Sequence, residues 1–517
     1  MLSKTYASAL RGVDAATITV ECHAGGPLTN AGPTKYIVGL PDKAVSEGFM
    51  RINPALRNSG FKPARRLLTI NLAPASLRKE GAAYDLPIAV GILESTDQLV
   101  RRDAGRHMLI GELALDGALR PVRGALPMAI AARAEGFDAL VLPRANVEEA
   151  AIVEGLKVLG AANLREVCAH LAGEQALAPA ESRIQIGERA QQPFPLDFSD
   201  VMGQENIKRA LEIAAAGGHN AVLIGPPGAG KTMLARRLPT ILPPLSLDEA
   251  LETTKIHSVA GQLPSGRGLV SQRPFRAPHH TISDVALVGG GANPMPGEIS
   301  LAHNGVLFLD ELPEFKRSVL EVMRQPMEER RVVISRARWS VDYPASFMLL
   351  ASMNPCPCGF YNHPAKECTC GHAKVKAYLN RISGPLMDRI DLHVEVVPVS
   401  YDELSRQGRS GESSATIAAR VVAARELQEA RLRKYPDIHC NAHMPSRLVR
   451  DTCPLDPTGR QILATAMERL QLSARAYDRI LKVARTIADL AGSGRVGPAH
   501  LAEAIQFRTL DRGNWAR

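Results

Sequence analysis

The sequence predicts a multidomain α/β protein with an α/β core in the middle and a helical domain at the C-terminal end. The chain has 517 residues, a length that favours about three domains. Residues up to about 172 alternate β-type and helical runs, a glycine-rich loop follows a short apolar run, and the chain beyond Glu412 is dense in Ala, Arg, Leu and Glu. We therefore predict domains at 1–172, 197–400 and 401–517, with a linker at 173–196.

The N-terminal domain is predicted to contain both strands and helices. Residues 17–21 and 67–72 are rich in β-branched and apolar side chains and are predicted to be strands. Residues 126–135 and 147–155 are predicted to be helices. The stretch that follows this domain is polar and rich in Pro, Ala and Gln, which is typical of a linker.

A glycine-rich loop at 225–232 lies between a predicted strand at 221–224 and a predicted helix at 233–238. In such a loop, backbone N–H groups turn towards phosphate oxygens, the lysine reaches the β and γ phosphates, and the hydroxyl binds Mg²⁺. An ordinary Gly-rich turn is the alternative, which the flanking strand and helix make weak. The predicted ATP-binding residues are Gly225, Pro226, Pro227, Gly228, Ala229, Gly230, Lys231 and Thr232.

Two adjacent carboxylates, Asp310 and Glu311, follow the apolar run 306–309, which is predicted to be a buried strand. Charged groups at the end of a buried strand cost free energy unless they interact, so we expect both to act in the nucleotide site. Asp310 would bind Mg²⁺, and Glu311 would orient and deprotonate the attacking water. A pair of surface acids in a turn is the weaker alternative. Together, the two motifs predict ATP hydrolysis.

Four further segments resemble those of AAA+ ATPases. The segment with Val201 resembles the part that packs on adenine, and Asn354 stands after a predicted strand where that family has sensor 1, which holds the lytic water. Arg389 matches the arginine finger, and Arg475 matches sensor 2. Either arginine alone would be an ordinary surface residue, but their order behind the phosphate loop favours these roles. A finger from a neighbouring subunit stabilises transition-state charge and implies a closed ring.

The interval between Lys231 and Asp310 is long for a compact ATPase core and contains several segments rich in glycine and proline. It resembles the helix-2 insertion branch of AAA+ proteins, which includes the MCM helicases and the magnesium-chelatase ATPase subunit. Residues 331–341 alternate like a β-hairpin and match the hairpin that this branch directs into its central pore. Cations and an indole there would suit a nucleic-acid strand, and a solvated hairpin is an equal alternative. The candidate DNA-binding residues are Arg336, Arg338 and Trp339.

Three segments narrow the resemblance to one family: 273–315, the cysteine-containing segment that starts at Asn354, and 382–396. They resemble the ComM family, also called the YifB or magnesium-chelatase-like AAA+ family, and the resemblance covers essentially the whole chain. ComM proteins are understood as hexameric, ATP-driven DNA helicases that drive branch migration when incoming DNA recombines during natural transformation. The resemblance therefore implies ATP and Mg²⁺ as cofactors, a homo-hexamer, single-stranded and branched DNA, and recombination proteins as partners.

Residues 67–145 resemble the proteolytic domain of Lon, a serine–lysine protease. Ala83 stands in place of the nucleophilic serine, and Leu126 stands in place of the catalytic lysine. Serine–lysine catalysis needs an attacking oxygen and a base that takes its proton. We therefore predict a Lon-like α+β domain without peptidase activity, which serves assembly or DNA contact as the similar domain of the RadA family suggests.

Four of the eight cysteines are close together in the sequence. They form two pairs with one residue inside each pair and nine residues between the pairs. Four thiolates are a complete ligand set for tetrahedral zinc, although one-residue gaps are shorter than those of the usual zinc knuckle. Reduced thiols in a Pro/Gly-rich surface loop are the alternative. The candidate zinc ligands are Cys356, Cys358, Cys368 and Cys370.

Composition limits the remaining classes of function. Hydrophobic residues make up 45% of the chain and charged residues 22%, which is ordinary for a soluble globular protein. No run approaches the roughly 18 apolar residues of a membrane span, and the start of the chain lacks the apolar region of a signal peptide, so we expect a cytoplasmic protein. The net charge of +9 permits a nucleic-acid partner without requiring one.

Two functions are compatible with these features, and a third is disfavoured. The leading hypothesis is a hexameric DNA translocase or helicase fuelled by Mg-ATP. The alternative is a motor of the magnesium-chelatase type, which shares the insertions but remodels a partner protein. An ATP-dependent protease is disfavoured because Ala83 and Leu126 replace the catalytic pair.

Overall fold

The chain divides into two compact units. The first unit comprises residues 1–189, 247–271 and 335–343, and the second comprises residues 190–246, 272–334 and 344–517. Two segments of the predicted ATPase core thus cluster with the N-terminal unit. The computed structural model describes residues 1–27, 35–102, 105–181, 195–263, 268–291, 294–336, 339–363, 365–398, 411–435 and 437–508. Most of the predicted linker and the predicted boundary at 400 lie outside these residues.

The strands of the first unit form one large sheet and one small one. They are β1 (Leu2–Arg11), β2 (Asp14–Pro27), β3 (Lys35–Val38), β4 (Arg66–Ala73), β5 (His107–Leu109), β6 (Glu112–Leu113), β7 (Leu119–Arg120), β8 (Ala139–Pro143) and β9 (Lys157–Ala161). The large sheet has seven strands in the order β3-β4-β2-β1-β5-β8-β9, and β6 pairs with β7. Strands β1, β2 and β4 pair antiparallel, whereas β1, β5, β8 and β9 run parallel. The predicted strands at 17–21 and 67–72 are confirmed.

Helices cover the sheet of the first unit. They are α1 (Lys43–Asn58), α2 (Asp85–Ser95), α3 (Ala125–Ala134), α4 (Val147–Ala150) and α5 (Leu164–Leu171). The later helix Leu247–Ala260 belongs to this unit as well. Side-chain caps begin α1 and α5, in which Asp42 and Asn163 accept from backbone N–H groups.

The prediction of a helix at 147–155 is wrong in its extent. Helix α4 ends at Ala150, and the N–H of Val153 donates to the carbonyl of Ala150 at 3.1 Å, which makes a turn instead of a further helical turn. Residues Ala151, Ile152 and Val153 are buried in the core of the first unit. Tertiary packing therefore overrides the local preference for a helix.

The central sheet of the second unit consists of five parallel strands in the order β11-β14-β17-β10-β18. Every residue of β10, β14 and β17 is buried, because both faces of a parallel sheet are covered. A short pair, β12 with β13, completes the strands of the second unit, and the predicted hairpin pairs β15 with β16. Residues 335–343 of this hairpin belong to the first unit. The bounds of these strands are β10 (Ala221–Ile224), β11 (Phe275–Arg276), β12 (Gly289–Gly290), β13 (Met295–Pro296), β14 (Val306–Leu309), β15 (Arg331–Arg336), β16 (Trp339–Pro344), β17 (Met348–Met353) and β18 (Leu392–Glu395).

Helices surround this sheet and continue into the predicted C-terminal helical domain. Around the sheet they are α6 (Glu205–Gly217), α7 (Lys231–Arg237), α8 (Asp284–Val288), α9 (Glu298–Leu301), α10 (Arg317–Val322), α11 (Arg324–Glu329), α12 (His372–Leu379) and α13 (Gly384–Met387). The C-terminal helices are α14 (Ser414–Leu432), α15 (Ser446–Thr452), α16 (Pro457–Arg469), α17 (Ala474–Leu490) and α18 (Pro498–Gln506). They share one hydrophobic core with the sheet, in which Ile480 and Leu481 of α17 pack with Leu211 of α6.

No helix in the described part of the chain combines the length and the hydrophobicity that crossing a bilayer requires.

Candidate nucleotide-binding site

The carboxyl ends of three adjacent parallel strands define the candidate site in the second unit. Strand β17 lies between β10 and β14, so the segments that follow these strands meet at one edge of the sheet. The register pairs Ile224 with Met353 and Leu309 with Ala351. The phosphate-binding loop, the acidic pair and Asn354 are therefore neighbours in space.

The phosphate-binding loop connects β10 to α7. Gly228 and Gly230 have φ angles of +77° and +83°, a region in which residues with a side chain are strained. A Cβ at Gly228 would meet nothing within 4 Å, so the loop is open on that side. An open, glycine-rich loop of this kind fits a phosphate chain that is bound by main-chain N–H groups.

Lys231 is held inside the loop by three oxygen atoms. Its Nζ donates to the carbonyls of Gly225 at 2.7 Å and Pro226 at 2.9 Å, and to Oδ1 of Asn354 at 3.1 Å. Burial lowers the pKa of Lys231, while the negative charges of Asp310 and Glu311 raise it. The lysine thus joins the loop directly to the residue predicted to be sensor 1.

Thr232 and Asp310 form a pair of oxygen ligands suited to Mg²⁺. The Thr232 hydroxyl donates to Oδ2 of Asp310 at 2.8 Å. The other carboxylate oxygen, Oδ1, accepts from the Ser352 hydroxyl and from the N–H of Glu311, the latter at 3.1 Å. Hydroxyl and carboxylate oxygens are the ligands that Mg²⁺ prefers, so the residues present fit this ion. Sequence reasoning missed Ser352, which orients the carboxylate from the neighbouring strand.

Glu311 is exposed and has a left-handed backbone conformation, with φ of 55°. Such a conformation costs a residue with a side chain about 1–3 kcal/mol and is often found at functional sites. Its carboxylate lies 3.7 Å from Nδ1 of His280. The His280 ring contacts the edge of Phe315 and stacks near His279, 4.1 Å between centroids. His280 is a second residue without a predicted role that the structure brings to the site.

In the segment predicted to pack on adenine, Gln204 contacts the phosphate-binding loop, whereas Val201 lies in the hydrophobic core. Val201 is buried, with 1% of its surface exposed, and belongs to the hydrophobic core of the second unit. The Gln204 amide donates to the carbonyl of Val397 at 2.9 Å and to that of Ala229 at 3.4 Å. Gln204 therefore ties this segment to the phosphate-binding loop and to the end of β18.

The candidate arginine finger, Arg389, contacts Pro385 and Glu328 through its side chain. It is 6% exposed, its Nη1 donates to the carbonyl of Pro385 at 2.6 Å, and its Nη2 pairs with Glu328 at 2.5 Å. Among the described residues, none of its side-chain contacts involves the loop. The structure therefore does not join Arg389 to Lys231 within one chain.

The candidate sensor 2 residue, Arg475, is exposed at the start of α17. One turn further along, Arg479 pairs with buried Asp391 and donates to the carbonyl of Arg389 at 3.1 Å. Burial raises the pKa of Asp391, but the Arg479 charge and the neighbouring His219 ring outweigh burial and hold the pKa below its ordinary value. Sequence reasoning missed Arg479, which resembles any other helical arginine in the sequence.

The remaining candidate residues lie in two loops. The candidate zinc ligands follow Asn354 and have their four sulfur atoms within 4.8 Å of one another. Arg336 ends β15 and Trp339 begins β16. Arg338 and the side chains of Arg336 and Trp339 lie outside the described residues, so the contacts of the predicted DNA-binding residues stay a prediction.

The two positions that replace the Lon catalytic pair carry no reactive group. Leu126 is fully buried, and its N–H donates to Oε1 of Glu149 at 2.9 Å. Ala83 uses its carbonyl to accept from the N–H of Gly111 at 2.9 Å. The nearby Lys79 donates its ammonium group to the carbonyls of Pro74 and Leu77. Neither an attacking oxygen nor a proton acceptor stands at the two matched positions.

Three protein-family models match the chain. They are described as magnesium chelatase, subunit ChlI, at residues 197–404; subunit ChlI of Mg-chelatase, at residues 26–146; and magnesium chelatase, subunit ChlI C-terminal, at residues 411–508. Together with the parallel sheet and the phosphate site, these matches define a magnesium-chelatase-like AAA+ ATPase.

Curated relatives extend the similarity to the whole chain. The uncharacterized protein YifB of Escherichia coli is 46% identical over 511 residues, which are 99% of this chain and 98% of the relative. The competence protein ComM of Haemophilus influenzae is 43% identical over 516 residues, again 99% and 98% of the two chains. The chain therefore belongs to the ComM/YifB family.

A similarity to Lon is limited to part of the chain. Lon protease 2 of Bacillus subtilis is 31% identical over 162 residues, which are 29% of this chain and 28% of the relative.

Proposed function

We propose that this chain is an ATP-driven DNA translocase or helicase that works as a hexameric ring. Its task would be branch migration when incoming DNA recombines during natural transformation, in the cytoplasm and together with recombination proteins. The observation that carries the proposal is full-length similarity to a protein named competence protein ComM. A phosphate site in which Lys231 donates to Asn354 and Thr232 donates to Asp310 supports it.

In the proposed reaction, each side chain at the edge of the sheet has one task. Lys231 binds the phosphate oxygens of ATP, and Thr232 and Asp310 hold Mg²⁺, which would neutralise the charge of the phosphates. Glu311 orients the attacking water and accepts its proton, and Asn354 holds that water in line. Because Lys231 contacts Asn354 at 3.1 Å, phosphate binding and water positioning are coupled.

The ring follows from the proposed role of Arg389. The contacts of its side chain are with Glu328 and Pro385, not with its own phosphate-binding loop. To act on the nucleotide of a neighbouring subunit, as we propose, Arg389 would have to leave Glu328, and only a closed head-to-tail ring gives every site a neighbour. Arg475, exposed at the start of α17, is the proposed sensor 2.

The hairpin β15–β16 is the proposed DNA contact. Arg336 ends one strand and Trp339 begins the next, and Arg338 stands between them in the sequence. Arginine contacts phosphates without reading the sequence, and an indole stacks on any base. A contact of this kind would let the ring move along DNA of any sequence.

We propose that the N-terminal domain keeps a Lon-like fold but has lost peptidase activity. The chemistry at Ala83 and Leu126 supports this, because a methyl group and an isobutyl group cannot attack a peptide or accept a proton. The domain would then serve assembly or DNA contact.

DNA-dependent ATP hydrolysis by the purified full-length chain tests the proposal. Single-stranded and branched DNA should raise the hydrolysis rate, and a labelled branched substrate should be converted to products only with ATP and Mg²⁺. The Lys231→Ala variant is the matched control, because it removes the group that binds the phosphates. An ATPase that neither form of DNA stimulates would contradict the helicase function.

The alternative function is a motor of the magnesium-chelatase type that remodels a protein partner. The observation that favours it is that all three matching family models are named for the ChlI subunit of magnesium chelatase. In that case, hydrolysis should respond to a protein partner and be indifferent to DNA in the same assay.

A further inference from the structure

Four cysteine side chains converge in the loop between β17 and α12. Their sulfur atoms all lie within 4.8 Å of one another. The separations between Cys356, Cys358 and Cys368 are 3.3, 3.7 and 3.6 Å. A tetrahedral zinc ion with Zn–S bonds of about 2.3 Å would place its sulfur ligands about 3.8 Å apart. A disulfide would need about 2.05 Å, so the spacing matches a shared metal ion and not a covalent bond.

A backbone N–H group points at one of these sulfur atoms. The N–H of Cys370 donates to Sγ of Cys368 at 3.4 Å. Hydrogen bonds of this type orient metal ligands.

Little regular structure holds this loop together. Residues 356–371 contain neither a helix nor a strand in the described part of the segment. Closing a loop with nine residues between its two cysteine pairs costs conformational entropy. A metal ion that joins both pairs offsets that cost, because the free energy of metal binding stabilises the folded form of the loop.

The cysteine loop contacts the nucleotide site at two points. Cys356 follows Asn354 by only two residues, and Asn354 accepts from Lys231 at 3.1 Å. Gly359, which has a φ of +85°, packs so closely on the phosphate-binding loop that an added Cβ would lie 2.4 Å from Cδ of Pro227. Any change in the shape of the cysteine loop is therefore transmitted to Asn354 and to Pro227.

We propose that Cys356, Cys358, Cys368 and Cys370 bind one structural Zn²⁺ ion that holds Asn354 and the phosphate-binding loop in position. Four protein ligands fill the tetrahedral shell and leave no position for water or substrate, so the ion takes no part in the chemistry. On binding, Zn²⁺ displaces the protons of the thiols that are still protonated. The proposal does not depend on DNA being the partner of the ATPase.

Metal analysis of the purified full-length chain is the first test. Wild-type protein should contain one zinc ion per chain after exhaustive dialysis, and the Cys368→Ser variant should contain much less than one. Cys440→Ser is the matched control, since Cys440 is a buried cysteine outside the cluster, and it should keep its zinc. A wild-type chain without stoichiometric zinc would overturn the proposal.

Thiol labelling gives a readout that does not depend on activity or on a variant. Cys22, Cys168, Cys440 and Cys453 are buried, and burial raises the pKa of Cys22 and Cys168 to about 12, so they should react slowly. A maleimide followed by peptide mass mapping should label the cluster only after treatment with a strong zinc chelator. Equal labelling of the cluster before and after chelation would contradict bound zinc.

Two variants separate zinc binding from its effect on the nucleotide site. Gly359→Ala should keep one zinc ion but raise the KM for ATP several-fold, because its Cβ would collide with Pro227. Cys368→Ser should lose both zinc and normal ATP kinetics. If Cys368→Ser lost its zinc and yet showed wild-type kcat and KM, the positioning role would be wrong. An ATPase that DNA does not stimulate, but that holds zinc, would contradict only the helicase function.

Discussion

The guanidinium of Arg479 donates to the carbonyl oxygen of Arg389 at 3.1 Å. The side chain of Asn220 donates to the same carbonyl at 3.2 Å. The backbone at the candidate arginine finger is thus fixed from the C-terminal helix α17 and from the start of β10. A displacement of α17 would move the finger with it, which links the helical domain to hydrolysis at the neighbouring site in the proposed ring.

Replacing Arg479 should destabilise the second unit, whereas replacing Arg475 should not. Asp391 is 3% exposed and pairs with Arg479, and removing one partner of a buried ion pair costs about 3 kcal/mol or more. Arg479→Ala should therefore lower the urea midpoint of unfolding. Arg475→Ala, an exposed site on the same helix, should change the free energy of unfolding by less than about 0.5 kcal/mol while slowing hydrolysis. Equal stability of the two variants would contradict the role assigned to Arg479.

The contribution of Asp391 to stability should be lost in acid. The pKa of Asp391 in the folded chain lies below its ordinary value of 3.8, so the unfolded chain binds this proton more readily than the folded one. The stabilisation is then fully present above pH 3.8 and declines as the pH falls towards the folded pKa. We expect the difference in unfolding free energy between wild type and Asp391→Asn to be constant from about pH 7 to 5 and to shrink below about pH 4. If the difference in unfolding free energy did not change with pH, the lowered pKa of Asp391 would be contradicted.

Variants of Lys231 and Glu311 should distinguish nucleotide binding from nucleotide hydrolysis. Lys231→Ala should abolish nucleotide-driven activity, because the ammonium group that binds the phosphates is gone. Glu311→Gln should still bind ATP but hydrolyse it about 10²–10⁴-fold more slowly, since an amide cannot accept the proton of the water. Equilibrium binding of a fluorescent ATP analogue and phosphate release measure the two steps. Rapid turnover by Glu311→Gln would show that another group is the base.

Arg389 should act in trans. Arg389→Ala should leave nucleotide binding nearly intact and reduce hydrolysis in the assembled ring by about 10³–10⁵-fold. Mixing this variant with Lys231→Ala subunits should restore some activity, because hybrid interfaces combine an intact phosphate-binding loop with an intact Arg389. Complete absence of rescue in a titration of the two variants would count against the finger.

Ser352 should affect the requirement for Mg²⁺. Its hydroxyl donates to Oδ1 of Asp310, and loss of a hydrogen bond to a metal ligand typically costs 10–100-fold in metal affinity. We expect Ser352→Ala to raise the Mg²⁺ concentration for half-maximal hydrolysis by about that factor, with a smaller change in kcat at saturating Mg²⁺. Ser46→Ala, an exposed serine in α1, serves as a control. An unchanged Mg²⁺ dependence would rule out this role for Ser352.

Local patterns were sufficient for residues whose role depends on their neighbours in sequence. The strand before the glycine-rich loop, the strand before Asp310 and the two strands of the hairpin all form where the sequence predicts them. Ser352 and Arg479 could not be predicted, because their roles depend on the order of strands and on contacts between distant segments. Ser352 is useful only because β17 lies next to β14.

The C-terminal domain shows the same division between local and long-range information. A local signal begins helix α17, where the side chain of the N-cap residue Ser473 accepts from the N–H of Ala476. The pairing of α17 with Asp391 could not be predicted from the sequence, since 88 residues separate Asp391 from Arg479. At 147–155 the local pattern was misleading. It predicts a helix over the whole range, but the helix ends at Ala150 and a buried turn follows.

The first unit is assembled from three separate stretches of the chain, of which the last ends at residue 343. Its helix Leu247–Ala260 provides Ser258, which donates to buried Glu149, and Leu251, which packs on the core. A ribosome must therefore translate most of the ATPase sequence before the N-terminal unit can be completed. A fragment that stops at residue 189 would lack these contacts and expose part of its core, so the N-terminal unit should be studied only within the longer chain.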